Sequence, residues 1–282
     1  MANGKLGIIA GSGQFPILVA EAAKRRGLEV IALGITGVTD PELAKRVKRF
    51  EQFKLGQISK PIEVLKSEGV TQAVMAGKVQ HASVFGGVMP DLKAMKLLAR
   101  LKDKRTDTIL AAVAEEFGKE GIELLPSHQY LSDLLATPGA MTKRKPSAAE
   151  SMDIDLGWRA AKAVAGFDIG QTVVAGQNAI VAVEGMEGTD ACVLRAGEIT
   201  RPPRGGASSG GALVVVKVAK PKQDFRFDLP VIGLDSLEVF AKAGVTALAI
   251  EAGKTLIFDK EDFLKRADAQ RLAVIGLEEK TS

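Results

Sequence analysis

Residues 5–37 read KLGIIAGSGQFPILVAEAAKRRGLEVIALGITG, and the order of parts in this stretch decides the fold class. An apolar run over residues 6–10 ends in Gly11-Ser12-Gly13, and a helical pattern follows with Pro16 in its first turn. Proline is welcome there because the N–H it lacks has no intrahelical partner. A second apolar run over residues 30–33 closes the unit, so the stretch reads as strand, glycine turn, helix, strand. The pattern then continues, with a helix near residues 60–68, a strand QAVMAG at 72–77, helical periodicity over LKAMKLLARLK and DTILAAVAEEFGKEG, and a short strand at 122–125. Strands alternating with helices imply a mostly parallel sheet covered on both faces. The first domain is therefore an α/β domain over residues 1–134.

Residues 137–151, TPGAMTKRKPSAAES, carry two Pro, four hydroxyl residues and the basic trio Lys143, Arg144 and Lys145. Composition reads as a linker at 135–151, with the basic trio on a solvated turn. Beyond it, residues 152–282 hold a second α/β domain: a helix around 156–164, two hairpin strands QTVVA and AIVAVEG, and the glycine-rich loop RGGASSGG at 204–211. A buried strand GALVVVKV follows, then a helix near 236–243, strands at 247–251 and 255–258, a helix from 262 to about 269, and a closing strand LAVIGL. Between them QDFRFDLP, residues 223–230, alternates Asp224, Arg226 and Asp228 with Phe225, Phe227 and Leu229. Period-two alternation predicts an extended segment with one buried face.

Composition excludes little. The excess of 38 basic over 34 acidic residues, a net +4, is too small to mark a polyanion-binding surface. Aromatics at 5% are too scarce for a base-stacking platform, so nucleic acid is not an expected partner. The single Cys192 cannot form an intrachain disulfide, which fits a reducing cytoplasm. No run approaches the ~18 apolar residues of a spanning helix, and the glycine-broken N-terminus lacks a signal peptide's apolar core. A cytoplasmic protein that touches a membrane at most from one side is expected.

Several residues could carry chemistry. Gly11, Ser12 and Gly13 follow a strand and open a helix, where backbone N–H groups form an anion pocket or simply a tight turn. The dinucleotide fingerprint fails, because Pro16 stands where a small residue is needed and no acid closes the second strand. Gly77 and Lys78 sit at the carboxyl edge of a strand, where open α/β sheets gather ligands, and His81 follows in AGKVQH. Without the first glycine and the Ser or Thr this is not a P-loop. Glu184, Glu187 and Asp190 stand three apart across a glycine-containing turn, oxygen ligands suited to a hard cation such as Mg2+. Their ordinary alternatives are a solvated strand end and an acid at a helix N-terminus capped by Thr189. Two His and one Cys make a zinc site improbable. In an extended strand Asp224 and Asp228 would lie about 14 Å apart, too far to share one metal. Arg226 between them is a neutralising neighbour or a phosphate fork. Leucines and six basic residues over 92–105 form a basic amphipathic pattern, suited to core packing or to an anionic leaflet.

The stretches GQTVVAGQNAIVAVEGMEGTDA, VKVAKPKQDFRFDLPVIG and AGVTALAIEAGKTLIFDK, with LGIIAGSGQFP and MAGKV, closely resemble the UDP-2,3-diacylglucosamine diphosphatases of the LpxI type over nearly the whole chain. The resemblance implies a two-domain protein with the substrate held between the domains. It implies Mg2+-dependent hydrolysis of the pyrophosphate of UDP-2,3-diacylglucosamine to 2,3-diacylglucosamine 1-phosphate (lipid X) and UMP, a step of lipid A biosynthesis. It further implies an essential Asp224, substrate contacts at Gly11, Ser12, Gly13, Gly77, Lys78, Thr189 and Arg226, and metal or substrate ligation by Glu184, Glu187 and Asp190. The resemblance implies a variable loop around His81, so catalysis is not expected there. A diacyl substrate adds the inner leaflet as a peripheral partner, and a second copy of the chain is a further candidate partner. The alternative class is a non-catalytic regulator that binds a nucleotide sugar or lipid.

Overall fold

The computed structural model describes residues 4–79, 90–103, 105–201, 212–221 and 223–279. Its opening elements are β1 (Lys5–Ala10), α1 (Phe15–Arg25) and β2 (Glu29–Ile35), followed by β3 (Arg49–Phe53), α2 (Ser59–Ser67) and β4 (Gln72–Ala76). After these come α3 (Leu92–Arg100), α4 (Thr106–Lys119) and β5 (Glu123–Leu125). The five strands pair in the order β3-β2-β1-β4-β5, every pair parallel. Chain order runs outward in one direction from β1 to β3 and in the other from β4 to β5, so the sheet reverses its winding between β1 and β4. In open α/β sheets that crevice, at the carboxyl ends of the strands, is where ligands bind. Edge strand β3 escapes the sequence reading because Arg49, Glu51 and Gln52 interrupt its apolar positions.

The chain divides into two compact units. The first is Met1–Leu131 together with Asp224–Asp228, and the second is Ser132–Gln223 with Leu229–Ser282. A few residues from the middle of the second half therefore pack with the first. Asp91 helps order the first unit: it caps α3 through the Ala94 N–H at 2.8 Å and accepts the Ser59 N–H at 2.7 Å, stapling two helix starts with one carboxylate.

In the second unit β6 (Gly139–Ala140), α5 (Ala148–Gly166), β7 (Thr172–Gly176) and β8 (Ala179–Val183) come first, then α6 (Thr189–Thr200) and β9 (Leu213–Lys217). They are followed by β10 (Val231–Ile232), α7 (Leu234–Ala243), β11 (Val245–Glu251), β12 (Leu256–Ile257), α8 (Lys260–Ala269) and β13 (Ala273–Leu277). The sheet order is β6-β13-β11-β9-β7-β8, parallel through β13, β11 and β9 and antiparallel outside them, while β10 and β12 pair separately. Alternate residues of β9 serve opposite cores: Leu213 and Val215 pack on one face, Val214 and Val216 on the other. Burial on both faces is why this strand is an unbroken apolar run, each such side chain contributing about 1.5–3 kcal/mol. Gln177 and Asn178, at φ 54° and 59°, form the two-residue primed turn between β7 and β8.

The stretch 135–151, expected as a linker, is built into the second unit. Leu135 bridges to Leu256, β6 pairs with β13, and the Thr142 hydroxyl accepts the Val274 N–H at 2.8 Å. Helix α5 also begins at Ala148 rather than near 156, because Ser147 and Glu150 form a capping box at its start. Glu150 in turn binds Arg144 and accepts the Thr246 hydroxyl at 2.6 Å, so Arg144 of the basic trio is an anchor and not a solvated turn residue. Among the described residues no helix is long and apolar enough to cross a membrane.

Candidate functional site

The structure joins the two glycine-containing motifs of the first unit. After β1 and β4, at the reversal of the sheet, the Ser12 N–H donates to the Lys78 carbonyl at 2.8 Å and the Lys78 N–H returns to the Ser12 carbonyl at 3.0 Å. The Ser12 hydroxyl adds a bond to the Lys78 carbonyl at 2.9 Å, and the Gly11 N–H donates to Ala76 at 2.8 Å. The glycines are required by this approach: a Cβ on Gly11 would stand 2.6 Å from the Lys78 carbonyl oxygen, and one on Gly77, at φ +96°, 2.7 Å from that of Ser12. The amides of Ser12 and Lys78 are thus spent on each other and that of Gly11 on Ala76. An anion at this turn would meet Gly13 and the start of α1, whose N-cap Gln14 makes no side-chain cap.

Residues 224–228 are not an extended strand. The Phe227 and Asp228 N–H groups both donate to the Asp224 carbonyl, at 3.0 and 3.2 Å, so the segment closes into a single turn. Its cause is local: the Asp224 carboxylate accepts the Arg226 N–H at 3.1 Å, a side-chain-to-backbone bond that competes with strand pairing. The expected separation of Asp224 and Asp228 fails with it. A hydrogen bond from residue 228 back to residue 224 brings the two far closer than an extended chain would. Arg226 Nε lies 2.9 and 3.1 Å from the two Asp224 oxygens and Nη2 2.5 Å from one, a forked pair that leaves Nη1 unused in it. The guanidinium also lies 5.0 Å from the Phe227 ring centre. This pairing, against a smaller opposing effect of burial, holds the Asp224 carboxyl below its ordinary 3.8, so the group is ionised at neutral pH.

Within the same unit the Ser127 N–H and hydroxyl both donate to the Phe225 carbonyl, at 3.0 and 3.2 Å. The His128 and Phe225 rings meet edge to face, 5.6 Å between centres. Burial lowers the His128 pKa, so the imidazole is neutral at pH 7. Sequence reading passed over both residues, and only a contact of high sequence separation reveals them.

The acids of the second unit are arranged differently. Glu184, 7% exposed, accepts the Gln171 N–H at 3.1 Å and the Thr189 hydroxyl at 2.9 Å. The same Thr189 oxygen lies 3.2 Å from that of Thr172 and accepts from Lys217 Nζ at 3.0 Å. Lys217, buried within a valine run, was missed for that reason. Glu187 accepts the Gly185 N–H at 2.9 Å and pairs with Arg195 at 2.8 Å, and that pairing holds its carboxyl below the ordinary value. Asp190 sits in the first turn of α6, favoured there by the helix dipole. Among the described residues no three His, Cys, Asp or Glu side chains group so as to hold a metal ion, so these three acids do not form a cage. Magnesium, however, needs only one or two carboxylates beside waters and phosphate oxygens, and Asp224 and Asp228 are two carboxylates of one turn.

The remaining candidates sort simply. In α3, Ala94 and Leu97 face the core and Lys93 pairs with Glu116 and Glu120, while Leu92 and Met95 are exposed. Cys192 is fully buried and burial raises its thiol pKa to about 11, which makes it inert. His81, Lys104 and the glycine-rich loop at 204–211 lie outside the described residues.

A parallel sheet that reverses between two paired glycine loops, followed by a mixed-sheet α/β unit, defines a two-unit α/β protein whose first sheet has the strand-order reversal of doubly wound folds. The chain belongs to the LpxI family: the LpxI N-terminal domain matches residues 5–134 and the LpxI C-terminal domain residues 137–275. It is 32% identical over 277 residues, 97% of this chain and 98% of the other, to the UDP-2,3-diacylglucosamine pyrophosphatase LpxI of Caulobacter vibrioides (strain ATCC 19089 / CIP 103742 / CB 15). Among solved structures, an ADP complex of an N5-carboxyaminoimidazole ribonucleotide synthetase shares 14% identity with a TM-score of 0.29, covering 66% of this chain and 40% of that one. That likeness carries no argument.

Proposed function

We propose that the protein hydrolyses the pyrophosphate bond of UDP-2,3-diacylglucosamine in lipid A synthesis, giving UMP and 2,3-diacylglucosamine 1-phosphate. The near full-length likeness to the Caulobacter pyrophosphatase carries this reading. The chemistry of the first unit supports it. Water adds to one phosphorus, the bridging P–O bond breaks, the released phosphate takes the electron pair, and the water's proton passes to that phosphate or to solvent. Such a step needs an oriented water and neutralised phosphoryl oxygens.

Asp224 serves as an ionised carboxylate. Held below its ordinary pKa by Arg226, it is a poor proton acceptor and a good ligand or water-orienting group. Arg226 presents its unused Nη1 edge to a phosphate, fixed in aim by Asp224 and the Phe227 ring. Lys78, exposed at the end of β4, and the amides from Gly13 onward receive the other phosphate. Mg2+ would be held by Asp224 and Asp228 and would neutralise phosphoryl charge. Thr189 and Glu184, saturated by one another and by Lys217, support the second unit.

Purified protein incubated with UDP-2,3-diacylglucosamine should release UMP with Mg2+ and stop with excess chelator. Turnover unchanged by chelator would remove the cation, and absence of UMP with the substrate still bound would favour a binding regulator. Running the reaction in 18O-water reads which phosphorus is attacked. The acyl chains place the substrate in a leaflet, so sedimentation with anionic vesicles should fall on charge reversal of Lys96 and Arg100 if α3 docks there.

A further inference from the structure

We propose that Ser127 and His128 are positioning residues for this hydrolysis, acting through Phe225 to hold the Asp224 carboxylate in place; the proposal rests on the reading of Asp224 as the reaction's carboxylate. Residues Asp224–Asp228 leave the sequence of the second unit and pack with the first. The Asp224–Arg226 fork fixes those two side chains relative to each other and does nothing to fix the pair within the unit. That second task falls on Phe225 and Phe227.

Phe227 packs against the hydrophobic core of the first unit. Phe225 follows Asp224 directly, and its carbonyl takes two hydrogen bonds from Ser127, at 3.0 and 3.2 Å. Ser127 is 2% exposed, so this grip is made from inside the unit. His128 closes on the Phe225 ring edge to face, with 84° between the planes. Its Nδ1 is buried without a hydrogen-bond partner among the described residues, so the imidazole works through its ring and not through that nitrogen. Because the peptide joining Asp224 to Phe225 is planar, a shift of Phe225 carries the Asp224 backbone with it. Displacement of a reacting group by about 1 Å can cost about a hundredfold in rate.

The test is kcat and KM for UMP release by wild type, His128→Ala, His128→Phe and Ser127→Ala, with urea midpoints alongside. His128→Ala should lower kcat about tenfold, the factor that about 1.4 kcal/mol of barrier corresponds to. KM should stay within about twofold, because the loss falls on the transition state alone. His128→Phe should recover most of the kcat by restoring the ring pair, and Ser127→Ala, which keeps the N–H bond, should lose less than His128→Ala. An unchanged kcat with a lowered urea midpoint would mean a merely structural role and would overturn the proposal. So would a His128→Phe protein as impaired as His128→Ala, because a nitrogen would then be the working part. If His128→Ala fails to fold, Phe225→Leu removes the same ring pair from the turn, and an unchanged kcat there overturns the clamp. Turnover that survives Asp224→Ala overturns the underlying reading as well, whereas an inert Asp224→Ala beside fully active His128 and Phe225 variants overturns the clamp alone.

Discussion

Asp224 and Glu184 are both carboxylates in acid-rich turns, and the fold treats them in opposite ways. Glu184 is enclosed by a backbone amide and a threonine hydroxyl that is itself held by a buried lysine. Asp224 is a third exposed and leans on one arginine, which pairs with that carboxylate and lies against the Phe227 ring. A carboxylate saturated by protein donors stabilises its surroundings, while one balanced by a single partly exposed cation is open to ligand. Substitutions of Glu184 should therefore lower stability, and substitutions of Asp224 should lower turnover.

The largest effect should follow Asp224→Ala. Turnover should fall by about 10³-fold or more, in the range seen when a preorganised charged group leaves a site, while the urea midpoint changes little because exposed ion pairs contribute about 0–1 kcal/mol. UMP release and a denaturation curve on one preparation check both halves. A folded variant that still turns over would break the comparison at its strongest point.

Arg226 comes next. Arg226→Lys should lose about a hundredfold and recover little relative to Arg226→Ala, because a lysine is a point charge and cannot reproduce the fork to Asp224. Near wild-type turnover in the lysine variant would show that only the charge matters.

The contrast also shows what the sequence discloses. Residues 5–37 give β1, α1 and β2 correctly because apolar runs, a glycine turn and a first-turn proline all act over a few neighbours. The capping box of α5 was equally legible in Ser147-Ala148-Ala149-Glu150, yet the Pro, Thr and Lys around it read as a linker. QDFRFDLP misleads because its alternation is real and is overridden by one bond, from the Arg226 N–H to the Asp224 side chain. An Asp at the head of such a segment is the warning. Ser127, His128 and Lys217 had no local signal, since each gains its meaning from a partner brought close only by the fold.

On the structural side of the comparison, Glu184→Ala should cost about 2–3 kcal/mol by leaving the Gln171 amide and the Thr189 hydroxyl without their acceptor. The urea midpoint should drop, with turnover per folded molecule nearly unchanged. Loss of turnover in a fully stable protein would move Glu184 into the chemistry.

A smaller effect is expected in acid. Burial would raise the Glu150 pKa, but bonds from Arg144, Thr246 and Ser147 overcome it and hold the group at about 2, below its ordinary 4.5. A depressed carboxylate contributes stability that is complete above 4.5 and is lost as pH falls through 4.5 towards 2. Glu150→Gln should therefore flatten the fall of the urea midpoint over that window, and an identical slope in the two proteins would show that other carboxylates govern it.

The smallest effect should belong to Glu187. Its ion pair with Arg195 is 35% and 45% exposed on the two sides, and such a pair is worth about 0–1 kcal/mol. Glu187→Ala and Asp190→Ala should each keep turnover within about threefold and the magnesium dependence intact, since neither acid shares a three-residue cluster with Glu184. This is the most informative of the small numbers, because the spacing of three acids on a glycine turn favours a cation and the arrangement of their partners favours structure. A rise of tenfold or more in the Mg2+ concentration needed by either variant, with the urea midpoint unmoved, would return the cation to the second unit. Asp224 would then keep only the task of orienting water.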